Sequence, residues 1–415
     1  MNPVPQLQRN INLYPWFRVA SDGLAWIPVF FLYMSQTLPL VQVIQLSAIY
    51  YIAVFLLEVP SGYFSDRIGR RTTLLLAAAS LVVSYCCFII GANFWWFAAG
   101  QTFLAGGIAM QSGTDTALHY DSLKAMGRES EYPHLEAKAE QWGLTMLALA
   151  TFAGGALGMI DLRLAYLFSL ISALVMATLV WQFVEPLHES SDTEPPQSFT
   201  AVVWSCMLRL RHPLLGWIFL VSITLYAMAH IVFEFYQPYL TLLRLPFLNG
   251  SGSEFAPLLS GVLIAISMFG GAVGAKMSMV SLARLGLIGL LAVSMVIQLG
   301  IVAGMAIAVS PVIALLICTR NFPMALVHAP VRAAIAPHIS RRQRATYLSI
   351  QGLSERLFFA GLLLLLAAGL ERAVVVDEPV LSGILGLSLW IGIAISVGLF
   401  LFWGKIRQVI DDDAG

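Results

Sequence analysis

The sequence predicts an all-α polytopic membrane protein with twelve transmembrane helices in two six-helix bundles. Three observations carry that expectation. The 415 residues are 59% hydrophobic and only 11% charged, with a mean hydropathy of +0.81, whereas soluble chains carry about 25% charged residues. Apolar runs of about 20 residues, the length needed to cross hydrocarbon, recur along nearly the whole chain. These runs are long and continuous instead of ten-residue dyads, which favours helices over a β-barrel. The composition excludes a soluble enzyme, a disordered chain and a basic nucleic-acid binder.

Taken in order, the apolar runs, punctuated by Gly, Pro and charge, predict spans at 16–36, 41–63, 73–91, 95–118, 139–160 and 162–184. A second set follows at 214–240, 256–279, 285–308, 311–333, 345–370 and 380–404. The expected organisation is an N-terminal bundle over 1–185, a polar central linker over 186–213 and a C-terminal bundle over 214–415. Within the linker, the mixture of apolar side chains with Arg209 and Arg211 between Ser198 and Arg211 suits a short interfacial helix.

Basic residues fix the expected orientation. Arg9, Arg18, Arg67, Arg70, Arg71, Lys124, Arg128, Arg341, Arg342 and Lys405 fall at one set of alternating loops, and the opposite loops hold only Arg163, Arg244 and Arg372. The positive-inside rule then places both termini and the linker in the cytoplasm. The N-terminus lacks the pattern of a cleaved leader, so the first span is expected to direct insertion. Cys86, Cys87, Cys206 and Cys318 have neither metal-ligand nor disulfide-framework spacing and read as small apolar filler.

The most specific string runs from Glu58 to Arg71, EVPSGYFSDRIGRR, with Gly62, Asp66, Arg67, Gly69, Arg70 and Arg71 in the pattern G-x-x-x-D-R-x-G-R-R. Gly62 permits close helix approach, Asp66 can face a helix N-terminus, Gly69 permits a tight turn, and the arginines can fork onto oxygen acceptors. Asp121, at the end of the fourth span, is the natural partner for Arg70. This string, in the loop after the second span, resembles the signature of the major facilitator superfamily. Together with SGTDTALHYDSL and RATYLSIQGLSERL it looks most like the drug-efflux-like branches. The resemblance implies that the string latches two halves together on the cytoplasmic side, with Asp66 facing the start of the eleventh helix. Two positions depart from the family's patterns: Gln101 stands where many proton-linked members have arginine, and Gly154-Gly155-Ala-Leu-Gly158 lacks the proline common in antiporters.

Ionisable residues within spans cost about 2.5–3.5 kcal/mol each on insertion scales and are functional candidates by default. They are Asp22, Asp115, Glu234, Arg320, Glu355 and Arg356, with His230 one turn before Glu234. At a rise of about 1.5 Å per residue, Asp22 lies roughly 9 Å from the start of its span and Asp115 is no deeper. Two such carboxylates between the first and fourth helices would form a proton site. Arg320 and Glu234 can meet as an ion pair or hold a charged substrate group, and neighbouring rings and amides suit ring-bearing ligands. No nucleotide loop, metal-ligand cluster or nucleophile set occurs, so neither a cofactor nor enzymatic chemistry is expected.

The expected function is secondary active transport of a small organic solute, proton-coupled and working by alternating access. Efflux of amphipathic, drug-like compounds leads, and import of an anionic or zwitterionic metabolite or chelate is the alternative. A receptor that binds without cycling is disfavoured by the latch. The expected setting is the bacterial cytoplasmic membrane, with a monomer whose partners are substrate, protons and lipid and not nucleic acid.

Overall fold

The computed structural model describes residues 4–186, 208, 210–245, 250–339, 341–370 and 376–413. Most of the linker, including its expected interfacial helix, lies outside these residues, as does Arg372. Side chains at Gly62 and Asp66 also lie outside the described set. Helices dominate, accompanied by one two-stranded antiparallel ribbon, Arg244–Leu245 with Gly250–Ser251. The chain divides into two compact units, the first comprising Met1–Thr193, Glu254–Ala265 and Leu370–Val374, the second the remainder.

In the first unit, α1 spans Val4–Ser21, α2 Phe30–Ser35, α3 Leu40–Ile68, α4 Arg70–Ile90, α5 Phe94–Gln111, α6 Thr114–Lys124, α7 Tyr132–Gly158 and α8 Leu162–Gln182. Local chemistry sets several starts. Asn93 Oδ1 accepts from the backbone N–H groups of Trp95 and Trp96 (3.1 and 3.2 Å) at the head of α5, and Asp161 does the same for Arg163 (2.8 Å) before α8. Pro133 occupies the first turn of α7, where its missing N–H costs nothing. Small residues draw the helices together. Ser84 and Ser80 on α4 donate to the carbonyls of Gly100 and Phe103 on α5 (2.8 and 2.7 Å), and Gly107 leaves room for Leu81. On α7, a Cβ at Gly154 would overlap the Ala25 carbonyl, and one at Gly155 would lie 2.6 Å from the Pro257 carbonyl oxygen.

The second unit contains α9 (Pro213–Thr241), α10 (Gly252–Ile307) apart from Glu254–Ala265, α11 (Pro311–Ile317), α12 (Asn321–Ile335), α13 (Arg341–Ala368) and α14 (Glu378–Asp413). Helix α9 is its buried axis, with residues from Leu215 to Leu225 in a core shared with Leu290, Met295, Val331 and Tyr347. Polar side chains tie neighbours to it: Trp217 Nε1 donates to the Leu399 carbonyl (2.9 Å) and the Tyr347 hydroxyl to the Leu215 carbonyl (3.1 Å).

Among the described residues, eight helices are long and apolar enough to cross a membrane. Their outer faces present Ile90 (71% exposed), Phe269 (74%) and Leu401 (76%), surfaces that water would disfavour and lipid accommodates. The protein is a multi-pass membrane protein. Three of the uniform runs expected from hydropathy are interrupted. Residues 22–29 separate α1 from α2, Ser112 and Gly113 separate α5 from α6, and residues 318–320 separate α11 from α12. Gly113 supplies the second break with φ +76°, a conformation that L side chains rarely adopt. The two runs expected at 256–279 and 285–308 are two helices within Gly252–Ile307, parted at Gly286, whose φ +66° and ψ 173° are not helical.

Candidate functional site

The interruptions coincide with the expected charges. Asp22 follows the last residue of α1, Asp115 lies in the first turn of α6, and Arg320 caps α12. A carboxylate in a first turn is favoured by the exposed N–H groups and the helix dipole. Discontinuous helices of this kind bring backbone and charge to one place inside an apolar bundle.

Three helices of the first unit converge there with matched spacing. Helix α1 and the residue after it present Tyr14, Arg18 and Asp22; α6 presents Asp115 and His119; α7 presents Glu136 and Glu140. Residues four apart on a helix stack on one face, about 6 Å apart along its axis, so the seven side chains form two layers.

In the first layer, three carboxylates gather on one guanidinium. Arg18 Nη1 donates to Asp115 Oδ2 (3.0 Å), Nη2 to Glu140 Oε2 (2.6 Å), and Nη2 lies 3.4 Å from Asp22 Oδ2. The Asp115 side chain is 6% exposed, and its Oδ1 accepts the N–H of Thr116 (2.8 Å). Gly143 on α7 admits the Asp22 carboxylate, since a Cβ there would overlap Asp22 Oδ2. In the second layer, Glu136 is shared. The Tyr14 hydroxyl donates to its Oε1 (3.1 Å), and His119 Nδ1 lies 2.6 Å from its Oε2. The Tyr14 and His119 rings stack at 4.0 Å.

Asp22 and Asp115, expected as neighbours, thus meet on the same guanidinium. From the sequence Arg18 reads as an orientation signal or as the partner of Asp22 one turn away, a pair the structure contains at 3.4 Å; Glu136, Glu140 and His119 carry no expectation. Their signal was present as spacing: 14, 18 and 22, then 115 and 119, then 136 and 140.

In the second unit, Glu234 is 1% exposed on α9. The Arg320 guanidinium lies 4.8 Å from the centre of the Phe233 ring, a cation–π arrangement. His230 stacks on Tyr226 (3.7 Å) and approaches Phe359 edge-on (5.5 Å), while Phe233 stacks on Tyr236 (6.0 Å). The Glu355 carboxylate accepts from Gln351 Nε2 (3.0 Å) on its own helix, and Arg356, the next residue, is half-buried. Asn321 Nδ2 donates to Ser267 Oγ (3.2 Å).

The string after α3 is engaged within the first unit. Gly69 (φ +96°) joins α3 to α4. Arg70 Nε donates to Asp121 Oδ2 (3.2 Å), and its Nη1 to Ser65 Oγ (3.3 Å). Glu185, beyond the end of α8, accepts the backbone N–H groups of Arg70 and Arg71 on its two oxygens (2.6 and 2.8 Å). Arg71 Nη2 donates to the Trp181 carbonyl (2.8 Å), with the guanidinium 5.5 Å from the centre of the Trp181 ring. Glu185 was assigned to the end of the first bundle with no role. Its function follows from a fold that brings the end of α8 beside the start of α4.

Apolar helices interrupted at buried charges define a polytopic membrane transporter. The model of the Major Facilitator Superfamily matches residues 19–361, and the chain belongs to that family; it is a transporter and not an enzyme. No curated protein sequence matches it. Among solved structures, the nucleoside transporter NupG is similar with a TM-score of 0.72 at 16% identity, covering 96% of this chain and 99% of that one. A bacterial homologue of the human lysosomal transporter Spinster, inward-facing and unoccupied, aligns with a TM-score of 0.66 at 16% identity over 100% of this chain and 99% of the other. A POT family peptide transporter, described as auto-inhibited, gives 0.65 at 13% identity over 95% and 96%. At these identities the likeness is one of fold.

Proposed function

We propose that the chain is a proton-coupled secondary transporter of a small organic solute, with twelve spans in two six-helix halves and both termini in the cytoplasm of a bacterium. The observation that carries the coupling is the Arg18 cluster. With Asp22, Asp115 and Glu140 all ionised, one guanidinium faces three carboxylates; Glu140 is 49% exposed and solvated, while Asp22 and Asp115, at 19% and 6%, leave one negative charge in excess among apolar helices. Excess charge in a low-dielectric setting is costly unless it is paired or neutralised. A proton on one carboxylate relieves it, and a state that exposes the cluster to water tolerates the ionised form. Protonation thereby biases two conformations differently, which is the requirement for coupling.

The ring-rich set around Phe233, Tyr226 and His230, with Arg320 beside it, supports a substrate bearing a ring system. Efflux of amphipathic compounds is the leading direction, on the three local strings. Import of an anionic or zwitterionic solute is the second reading, supported by the Arg320 guanidinium at the ring set. Alternating access would use the string from Gly62 to Arg71, with Arg67 and Asp66, as its cytoplasmic latch.

The test is uptake into right-side-out and inverted vesicles with and without an imposed pH gradient. Labelled nucleosides, dipeptides and an amphipathic dye serve as probes, and wild type is compared with Asp115→Asn. Gradient-dependent accumulation in inverted vesicles that disappears in Asp115→Asn supports proton-driven efflux, and accumulation in right-side-out vesicles supports import. Accumulation in wild type that ignores the gradient sinks the proton reading.

A further inference from the structure

The second layer is not needed to hold the Arg18 cluster together, yet it is built with comparable care. His119 is 2% exposed and Tyr14 1%, while Glu136, at 19%, keeps an edge toward solvent. The 2.6 Å separation between His119 Nδ1 and Glu136 Oε2 is that of a charge-assisted hydrogen bond, which imidazolium or neutral imidazole protonated on Nδ1 can make to the carboxylate. The layer sits one helical turn from the cluster on all three helices at once, about 6 Å away. Resting on the proton-coupled reading above, we propose that His119 and Glu136 form a second proton site, cytoplasmic to the Arg18 cluster, whose occupancy sets how tightly that cluster holds its own proton.

The charge arithmetic gives the direction. When the pair holds one proton it is either imidazolium with carboxylate or imidazole with carboxylic acid, and its net charge is zero. When that proton leaves through Glu136 to water, imidazole and carboxylate remain and the net charge is −1. A negative pair one turn away favours a proton on Asp115, Asp22 or Glu140, and a neutral pair does not. A proton arriving from the cytoplasm on Glu136 and shared with His119 Nδ1 therefore loosens the proton held by the cluster. The two sites titrate as a coupled system, and the outer one reports the pH of the compartment it touches.

The groups facing the pair are Tyr14 and Arg18 from α1, Asp115 from α6, and Tyr132 and Glu140 from α7. The Tyr132 ring lies 5.6 Å from that of His119. Helix α4 also packs on α6, and its Arg70 is engaged by Asp121, two residues past His119. Beyond α6, Arg128 is forked onto Glu131 (2.7 and 2.8 Å). Tyr14 acts as a positioning residue: its hydroxyl fixes Glu136 Oε1 so that Oε2 is presented to His119.

Protons alone are a sufficient probe. The full-length protein in detergent is titrated by infrared difference spectroscopy of the protonated carboxyl band, with the Asp115 contribution assigned by its loss in Asp115→Asn. Glu136→Gln removes a negative charge and is expected to move the midpoint of that band to lower pH. His119→Gln leaves Glu136 as an uncompensated anion and is expected to move it to higher pH. Each shift should be roughly fiftyfold in proton concentration, as expected for unit charges about 7 Å apart at an effective dielectric of about 20. The double variant should return close to wild type, and Glu131→Gln, on the exposed turn, should leave the midpoint in place. Opposite shifts from the two partners would not arise from mere loosening of the bundle. If both variants move the midpoint the same way, or neither moves it, the second site is overturned while the cluster's role stands. If wild type shows no titrating band that Asp115→Asn removes, the proton-coupled reading falls first, and this inference with it.

Discussion

Glu185 holds Arg71 by its main chain and not by its charge: the carboxylate accepts the backbone N–H at 2.8 Å, while the guanidinium reaches past it to the Trp181 carbonyl. With Arg70 N–H bound at 2.6 Å on the other oxygen, Glu185 caps α4 from the segment that follows α8. A helix cap of this kind contributes about 0.5–2 kcal/mol. Glu185→Ala should lower the thermal midpoint in detergent by roughly 2–4 °C, a shift corresponding to about 1 kcal/mol for a unit of this size. Glu185→Gln, which keeps one acceptor oxygen, should lose less.

The same contact constrains Gly69. Its φ of +96° disfavours any side chain, and a Cβ there would lie 2.9 Å from the Glu185 carboxyl. Gly69→Ala should destabilise by about 1–2 kcal/mol from the backbone alone, with a further steric part. In a Glu185→Ala background the steric part disappears, so the two substitutions should be less than additive in thermal unfolding. Strict additivity would mean that the carboxylate is not held where the structure places it.

Arg18→Gln tests the cluster by removing its only cation. Breaking a buried pair by deleting one partner costs about 3–5 kcal/mol, so the variant should be recovered folded in much lower yield at neutral pH. Acid should help it, because three unpaired carboxylates are relieved by protonation. Its stability relative to wild type should therefore rise as pH falls, and Arg18→Gln with Asp115→Asn should be better tolerated than Arg18→Gln alone. Size-exclusion profiles of the extracted proteins across pH decide the matter.

Gly143→Ala probes the approach of Asp22. The added methyl would occupy the space of Asp22 Oδ2, so the carboxylate must swing away from Arg18, and the infrared band assigned to the cluster should change shape in this variant. Gly155→Ala, against the Pro257 carbonyl, is expected to cost about 1–3 kcal/mol through overpacking without altering that band.

For the ring-bearing substrate proposed above, Phe233→Ala should weaken binding by about 0.5–1.5 kcal/mol, the range for one aromatic pair, and Phe233→Tyr should retain most of it. Competition between labelled and unlabelled substrate in vesicles measures the loss.

Hydropathy and charge placement made the helical, multi-pass class legible, because both follow from composition along one dimension. The string from Gly62 to Arg71 was legible as a local motif, and Arg70 and Asp121 meet at 3.2 Å. The helix breaks were not: Gly23 and Gly113 read as ordinary small residues inside apolar runs. The spacing of Arg18 and Asp22 shows their pairing, but Asp115 and Glu140 on the same guanidinium come from other helices and leave no trace in local sequence. Glu136 and Glu140 precede the apolar part of α7 and read as its polar start. Their partners on α1 lie more than a hundred residues earlier, and His119 on α6 faces Glu136 across a turn, so the set becomes visible only when three helices are laid side by side.

The four-residue spacing common to α1, α6 and α7 also limits how these helices can move. Two rows of contacts at the same interval act as a vernier: a slide of one or two residues by any one helix unseats both rows together. Only a full turn, about 6 Å over four residues, brings side chains of the same helix back to the vacated places, with Asp22 then standing where Arg18 had been. Axial motion between these three helices is thus quantised. A transport step that preserves the charge pairing must tilt them as one block.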